Sequence, residues 1–146
     1  MTFLLLTQTD ERWEAVAQYA EACTWSAGRS LAGLMRSGAF GKWERVIAAH
    51  EDEKICGFCT VTEKDCIPDL PYTPYIGYVF VDEAYRGQRL SERMIGFAME
   101  YLRRIGFAEA YLISDHENLY EKYGFSVLEH AMAPWGSMEK VYYQAL

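Results

Sequence analysis

The segment Y-V-F-V-D-E-A-Y-R-G-Q-R-L-S at residues 78–91 decides the fold. It begins inside the continuous apolar run Tyr75–Val81, which is typical of a central strand buried on both faces. Asp82–Gly87 is a polar break. From Leu90 onward, apolar residues recur every three or four positions until Gly106, which predicts a strongly amphipathic helix. The segment therefore predicts a buried strand, a tight turn at Gly87 and a helix in direct succession.

This turn has the chemistry of an anion site. The first turn of a helix presents free N–H groups and the positive end of the helix dipole. Arg86 and Arg89 add positive charge, and Ser91 adds a hydroxyl donor. A diphosphate is the natural ligand of such a site. The alternative interpretation is an ordinary strand-to-helix connection whose two arginines are solvated. Neither G-x-G-x-x-G nor a P-loop sequence is present.

The rest of the chain adds strands and helices around this segment. Proline clusters at 65–74 predict a loop, and an acidic turn at 51–53 predicts a hairpin. The element order is β-α-α-β-β-β-α-β-α-β-β, an α/β fold with a mixed sheet and helices on both faces. The predicted strands are 3–7, a segment ending at His50, 55–61, 75–81, 110–113, 125–129 and 139–144; the predicted helices are one capped by Thr9 or Asp10, 30–37, 90–105 and 117–123.

Length and composition bound the function. The chain has 146 residues, 51% apolar and 24% charged, which predicts one domain over residues 1–146 and excludes disordered, collagenous and coiled-coil classes. The net charge of −7 weighs against a general nucleic-acid binder. Residues 86–104 nevertheless contain five arginines against Glu92 and Glu100, a local net charge of +3 that suits one small polyanion.

Targeting and cysteine patterns point to a cytoplasmic protein without a metal. The first apolar run, Phe3–Leu6, is too short for a signal peptide, and no stretch approaches a membrane span. Cys56 and Cys59 form a C-x-x-C in a predicted strand, with their side chains expected on opposite faces. Because no second pair exists, two buried thiols are favoured over a zinc or redox site.

Two motifs resemble the GNAT superfamily of acetyl-CoA-dependent N-acetyltransferases. Its phosphate loop, Gln/Arg-x-x-Gly-x-Gly/Ala, follows a strand of type Leu-x-Val, which Val79-Phe80-Val81 matches. Arg86 matches the first loop position, while Arg89 stands where the middle glycine is usual and Ser91 where Gly or Ala is usual. The second motif, N-L-Y-E-K-Y-G-F at 118–125, resembles the short helix after the fifth strand of the family.

The resemblance implies transfer of acetyl from acetyl-CoA to a primary amine by direct attack in a ternary complex. The acceptor would be a small molecule or a peptide amine, with no nucleic acid, membrane or metal involved. The exposed edge strands of such sheets often pair with those of a second chain, so a homodimer remains an open alternative. The residues implied to bind the cofactor are Val79, Phe80, Val81, Arg86, Gly87, Gln88, Arg89, Leu90, Ser91, Asn118 and Tyr123. The resemblance also requires the strand at 79–81 to splay from its neighbour.

For the catalytic residues, the resemblance implies the general acid but leaves the general base open. Tyr120 matches the general acid of the family, since a phenol is protonated at neutral pH; packing under the sheet is the alternative. The alternative for Asn118 is helix capping. Many family members use a glutamate of the fourth strand as the base, but this strand has no carboxylate. Asp82, Glu83, Asp115, His116 or a chain of waters remain, with His116 having the most suitable intrinsic pKa.

A different class of function stays open. The altered loop and the missing strand carboxylate also fit a non-catalytic module that binds acyl-CoA as a sensor or partner. Trp25, Trp43 and Trp135 would line an acceptor pocket, or else pack in the core or a lid.

Overall fold

The computed structural model describes all 146 residues, in seven strands and three α-helices. Their order confirms the predicted one, except that the last predicted helix is a short 3-10 helix. The strands are β1 Thr2–Leu6, β2 Arg45–Glu51, β3 Lys54–Thr62, β4 Tyr75–Val81, β5 Glu109–Ser114, β6 Ser126–Met132 and β7 Met138–Ala145. The helices are α1 Trp13–Ala22, α2 Ala27–Arg36 and α3 Leu90–Arg104, with 3-10 helices at Glu83–Tyr85 and Tyr120–Tyr123.

All seven strands form one mixed sheet in the order β1-β2-β3-β4-β5-β7-β6. Every neighbouring pair is antiparallel except β4 and β5, which are parallel. A parallel pair needs a crossover, and α3 supplies it. The α/β fold with a mixed sheet is therefore confirmed.

The sheet carries a hydrophobic core on each face. On one face, Met94, Ala98 and Leu102 of α3 are fully buried against β2, β3, β4, β5 and β7. On the other, α1 and α2 cover residues such as Val46 and Phe58. Both faces of β2 and β3 are thus covered, which accounts for their nearly continuous apolar sequences.

Strand β4 has the predicted bounds, but it is neither regular nor wholly buried. Thr60 of β3 pairs with Gly77 and Phe58 pairs with Phe80, so β4 contains an extra residue between them. Tyr78 lies in this bulge with a left-handed φ of 48°. Tyr78, Val79 and Val81 are only partly buried, because this part of the strand lines a cleft.

Strands β4 and β5 separate almost as soon as they meet. Their only paired residues are Tyr75 and Tyr111. The amide of Tyr111 also donates to the carbonyl of Pro74 at 2.9 Å. Beyond this point no ladder joins the two strands, so the sheet opens into a wedge toward the carboxyl ends of both. The sequence resemblance requires this separation.

The expected N-cap of α1 is not formed. Arg12 occupies the cap position without a side-chain hydrogen bond. The carboxylate of Asp10 instead accepts from the amide of Thr7 at 2.9 Å, and Thr9 bonds only the hydroxyl of Thr7. Asp10 thus closes the turn that precedes the helix. The predicted cap bond would have joined the side chain to an amide of the helix that follows, whereas Asp10 binds an amide that precedes it in the chain.

The two cysteines of the C-x-x-C do not point to opposite faces. Ala49 pairs with Gly57 and His50 with Ile55, so Cys56 is an extra residue on β3. The bulge breaks the alternation of side chains, and Cys56 and Cys59 join the same core beneath α3. Both are free and buried.

Candidate functional site

The wedge between β4 and β5 is the mouth of a large cleft. The cleft has a volume of about 1560 Å³ and runs from the turn before α3, across the bulge of β4, to α2 and the β6–β7 hairpin. One wall is β4 from Ile76 to Val81, and the opposite wall is β5 with the segment up to Tyr123. A concave site at the carboxyl ends of diverging strands is where open α/β sheets bind ligands.

One end of the cleft is rich in unpaired backbone donors. Gly87 and Arg89 adopt left-handed φ values of 81° and 60°, which turn the chain sharply into α3. The amides of residues 87–92 donate no hydrogen bond within the protein. Arg86 stands beside them, with its Nε donating to the carbonyl of Val81 at 3.0 Å and its guanidinium 5.7 Å from the ring of Phe80. This turn can hold an anion.

The two departures from the loop pattern have structural explanations. Arg89 takes the left-handed conformation that favours glycine, and its side chain leaves the turn to pair with Glu92 at 2.7 Å. That side chain is 78% exposed, so it does not fill the turn. The hydroxyl of Ser91 forms a 2.6 Å hydrogen bond with that of Tyr123 and links α3 to the opposite wall.

Tyr120 lies deep in the same wall and is 5% exposed. Aromatic rings surround it, including Tyr123 at 5.9 Å, Tyr142 at 5.6 Å and His116 at 6.0 Å between ring centroids. Burial, reinforced by neighbouring Tyr123, raises the pKa of Tyr120 well above its usual value, although the hydroxyl of Ser114 opposes this. The phenol therefore keeps its proton at every physiological pH.

Most of the residues implied by the resemblance line this one cleft. They are Val79, Phe80, Val81, Arg86, Gly87, Arg89, Leu90, Ser91, His116, Tyr120 and Tyr123. Gln88, Glu83 and Asn118 are exposed and do not line it. Asn118 has a left-handed φ of 59°, and Leu119 stands at the cap position of the following 3-10 helix, so Asn118 forms no cap.

The carboxylates considered as a base differ in their surroundings. Asp82 accepts from the hydroxyl of Tyr19 at 2.7 Å and from the amide of Ala84 at 3.1 Å. These bonds hold the pKa of Asp82 below its usual value, and it does not line the cleft. Asp115 and His116 do line it, but both are exposed at its rim.

Asp65 is the carboxylate that sequence reasoning missed. The loop after β3 brings it over β4, where a Cβ at Gly77 would lie only 2.8 Å from its Oδ1 and 3.3 Å from Oγ1 of Thr60. Burial raises the pKa of Asp65 to about 6, and the amide of Cys66 opposes the shift. A glycine inside a buried strand marks a close approach, so Gly77 was the available signal.

The cleft also has aromatic and acidic lining. Trp25 stacks on Phe80 at 6.2 Å, and Trp135 lies in the β6–β7 hairpin with its Nε1 donating to Ser137. Glu139 is 6% exposed and forms no ion pair; its carboxylate accepts from Ser137 at 2.9 Å. Trp43 lies elsewhere and packs on Phe107 at 4.9 Å.

Neither a metal centre nor a membrane segment is found. No three His, Cys, Asp or Glu side chains are grouped so that they could hold a metal ion. None of the three helices combines the length and apolar character needed to cross a bilayer.

Solved structures with the same fold are acetyltransferases. The aminoglycoside 6′-N-acetyltransferase from Enterococcus faecium superposes with a TM-score of 0.76 at 14% identity, covering 99% of this chain and 97% of that one. Mutant forms of the spermidine/spermine N-acetyltransferase from Vibrio cholerae give 0.68 at 16% identity, covering 99% and 93%. A putative acetyltransferase from Salmonella typhimurium, solved with its cofactor acetyl-CoA, gives 0.69 at 17% identity, covering 100% and 94%.

Sequence comparison identifies the family. None of the curated proteins matches the chain. Residues 42–127, more than half of the chain, match the model of the acetyltransferase (GNAT) domain. This range contains β4, the turn before α3 and Tyr120. The chain therefore belongs to the GNAT family of acetyltransferases.

Proposed function

We propose that the protein is an acetyl-CoA-dependent N-acetyltransferase that acetylates a primary amine within a ternary complex. The observation that carries the proposal is the separation of β4 from β5 after the Tyr75–Tyr111 pair. It leaves backbone groups of β4 facing Tyr120 across one cleft. The free amides of the turn and a group of acidic and aromatic side chains line the same cleft.

The turn before α3 fits the diphosphate of coenzyme A. Its six unpaired amides, the positive end of a 15-residue helix and Arg86 converge on one small region. From there the backbone of Val79–Val81 would hold the pantetheine arm, while Ser91 and Tyr123 keep the two walls at a fixed spacing. The exposed Gln88 and Asn118 would contribute through their backbone or at the rim.

The chemistry of transfer divides between backbone and side chains. Acetyl-CoA supplies the acetyl group as a thioester. A free amide of β4 stabilises the negative charge that develops on the carbonyl oxygen. Tyr120 donates its proton to the departing sulfur, a role that a buried, protonated phenol can fill.

The acceptor would be a small cationic amine or a peptide amine. Glu139 is a buried carboxylate without a cationic partner, and Trp135 is joined to it through the hydroxyl of Ser137. Trp25 adds flat apolar surface elsewhere in the same cleft. A protonated amine would satisfy this charge, and aromatic faces attract cations. Aminoglycoside and spermidine acetyltransferases of the same fold motivate the choice of probes. A cytoplasmic location and a homodimer stay predictions.

Thiol release from acetyl-CoA, measured with kanamycin, spermidine and a lysine peptide as acceptors, tests the proposal. We expect amine-dependent thiol release and an acetylated product by mass spectrometry. The reactions without amine and without protein are the controls. Tight binding of acetyl-CoA by calorimetry with no turnover on any amine would instead support a non-catalytic acyl-CoA-binding module.

A further inference from the structure

We propose that Asp65 is the general base that removes the proton from the acceptor amine. The inference rests on the proposed N-acetyltransferase function and deepens it. Strand β4 itself has no carboxylate, and the proposal places the base on the loop after β3 instead.

Position is the first argument. Asp65 lines the cleft, and its carboxylate is turned onto the backbone of Gly77, one residue before the bulge at Tyr78. The residues implied to hold the acyl arm, Val79–Val81, follow directly on the same strand. A side chain at 77 would occupy the space of the carboxylate, so the glycine allows Asp65 to reach the strand.

Only the amide of Cys66 offsets the charge of Asp65. It forms no ion pair and no hydrogen bond with another side chain. The hydroxyls of Thr60 and Tyr75 are fully buried near it and have no hydrogen-bond partner. A partly buried, desolvated carboxylate among unsatisfied polar atoms is costly, and an ammonium group from the acceptor would relieve that cost.

Lys64, the neighbour of Asp65 in the chain, also lines the cleft but donates its Nζ to the carbonyl of Leu70 at 2.9 Å. The other titratable groups near Asp65 are acidic. They are Cys66 on its own loop and Tyr75 and Tyr78 on β4, while Glu139 of β7 faces Cys66. All four are neutral or negative at neutral pH, so none opposes the approach of a cation. With a pKa of about 6, Asp65 is mainly a carboxylate at pH 7 and still basic enough to accept a proton.

The proton balance uses both sides of the cleft. The acceptor ammonium loses two protons overall. Asp65 takes the first, which frees the nitrogen lone pair to form the C–N bond while the C–S bond breaks. Tyr120 gives its proton to the sulfur, the second nitrogen proton restores the phenol through water, and Asp65 releases its proton to solvent.

Asp65→Asn tests the proposal, with Asp69→Asn as a matched control because Asp69 is exposed on the same loop and does not line the cleft. With spermidine and kanamycin at pH 7, we expect Asp65→Asn to lower kcat/KM by about 100-fold or more. The loss should shrink toward pH ~10, where the amine loses its proton in solution. Binding of acetyl-CoA, measured by calorimetry, should be unchanged.

A titration of the free protein gives a readout that does not depend on turnover. In carbon-detected NMR of aspartate-labelled protein, we expect one carboxyl, absent from Asp65→Asn, to titrate near pH 6. Wild-type kcat/KM should fall as the pH drops through the same value. An active Asp65→Asn with an unchanged pH profile, or an Asp65 that titrates at its ordinary pKa, would overturn the base role alone. A wild type inactive on every amine would overturn the proposed function and the base role together.

Discussion

At the scale of single residues, the proposed acid and the proposed base differ in their environments. Burial among aromatic rings raises the pKa of Tyr120 and preserves its proton. Asp65 is desolvated as well, but burial moves the pKa of a carboxyl toward neutrality, where it can exchange a proton. Desolvation raises both pKa values, and it would thereby suit the phenol to the proposed acid role and the carboxyl group to the proposed base role.

Tyr120→Phe tests the acid. Loss of the hydroxyl should lower kcat by about 100-fold, the lower range for a general acid, with little change in acetyl-CoA affinity. Single-turnover kinetics and calorimetry would measure the two quantities. Tyr101→Phe is the control, since it also removes the hydroxyl of a buried tyrosine, but one that donates to the carbonyl of Trp43 away from the cleft. If Tyr120→Phe had the same kcat as Tyr101→Phe, the acid role of Tyr120 would be refuted.

Arg86→Ala tests the charge at the turn. Arg86 is exposed, so its attraction to a phosphate should contribute about 1 kcal/mol, or roughly a fivefold change in the Kd of coenzyme A at low salt. Added salt should shrink the difference, because exposed charges are screened. Arg104→Ala, at the far end of α3, removes the same charge outside the cleft. An equal effect of both variants would mean that only net charge matters.

At the scale of elements, the junction of β4 and α3 concentrates unusual backbone. Tyr78, Gly87 and Arg89 all have left-handed φ values within twelve positions. The first opens the strand, and the other two turn it into the helix with its amides unpaired. Such conformations persist where the surrounding fold holds them, and they are common at binding sites.

Arg89→Gly measures the strain at that junction. A left-handed conformation costs a non-glycine residue about 1–2 kcal/mol. Arg89→Ala loses the same exposed ion pair with Glu92 but keeps this cost. We therefore expect Arg89→Gly to be more stable than Arg89→Ala by about 1 kcal/mol in urea unfolding, after the greater flexibility of unfolded glycine is allowed for. Equal stability would show that the turn relaxes around alanine.

Sequence predicted those elements whose signals are local. The apolar run between Pro74 and Asp82 set the bounds of β4, and the spacing from Leu90 identified α3. The bulge at Cys56 was missed, because an extra residue is defined by pairing with a distant strand. Asp65 was missed for a related reason: it lies in a loop, and only the folded chain brings it onto Gly77.

At the scale of the whole molecule, charge is distributed along the cleft. The net charge of −7 hides an arginine-bearing end at the turn before α3 and an acidic end at Asp65 and Glu139. A ternary complex of an anionic donor and a cationic acceptor would therefore lie along the cleft in one direction only, with the donor's phosphates at the arginines and the acceptor at the carboxylates. Sequence found the basic end, because its arginines are close together in the chain, and missed the acidic end, whose residues are 74 positions apart.

The desolvated charge of the partly buried Asp65 should reduce the stability of the whole protein at neutral pH. Its pKa is higher in the folded state, at about 6, than in the unfolded chain, at about 3.9. Stability from this group is therefore fully present below pH ~4 and is lost as the pH rises through 6. Asp65→Asn should have a higher Tm than wild type at pH 7 and an equal Tm near pH 4.

Thermal scans at several pH values, monitored by circular dichroism, would measure this difference. Asp69→Asn should follow wild type throughout, because that side chain is exposed. A lower Tm of Asp65→Asn at pH 7 would mean that the carboxylate supports the fold, contrary to the argument from burial.

The single Tyr75–Tyr111 rung also has a mechanical consequence. Four strands on one side and three on the other are otherwise joined by loops, by α3 and by side chains, so this rung is the one ladder contact between the two halves of the sheet. An extended ligand arm bound in the wedge would take the place of a strand between β4 and β5 and would restrict the motion of one half of the sheet relative to the other. We therefore expect ordered binding, in which the acyl donor arrives first and completes the surface that the amine then meets.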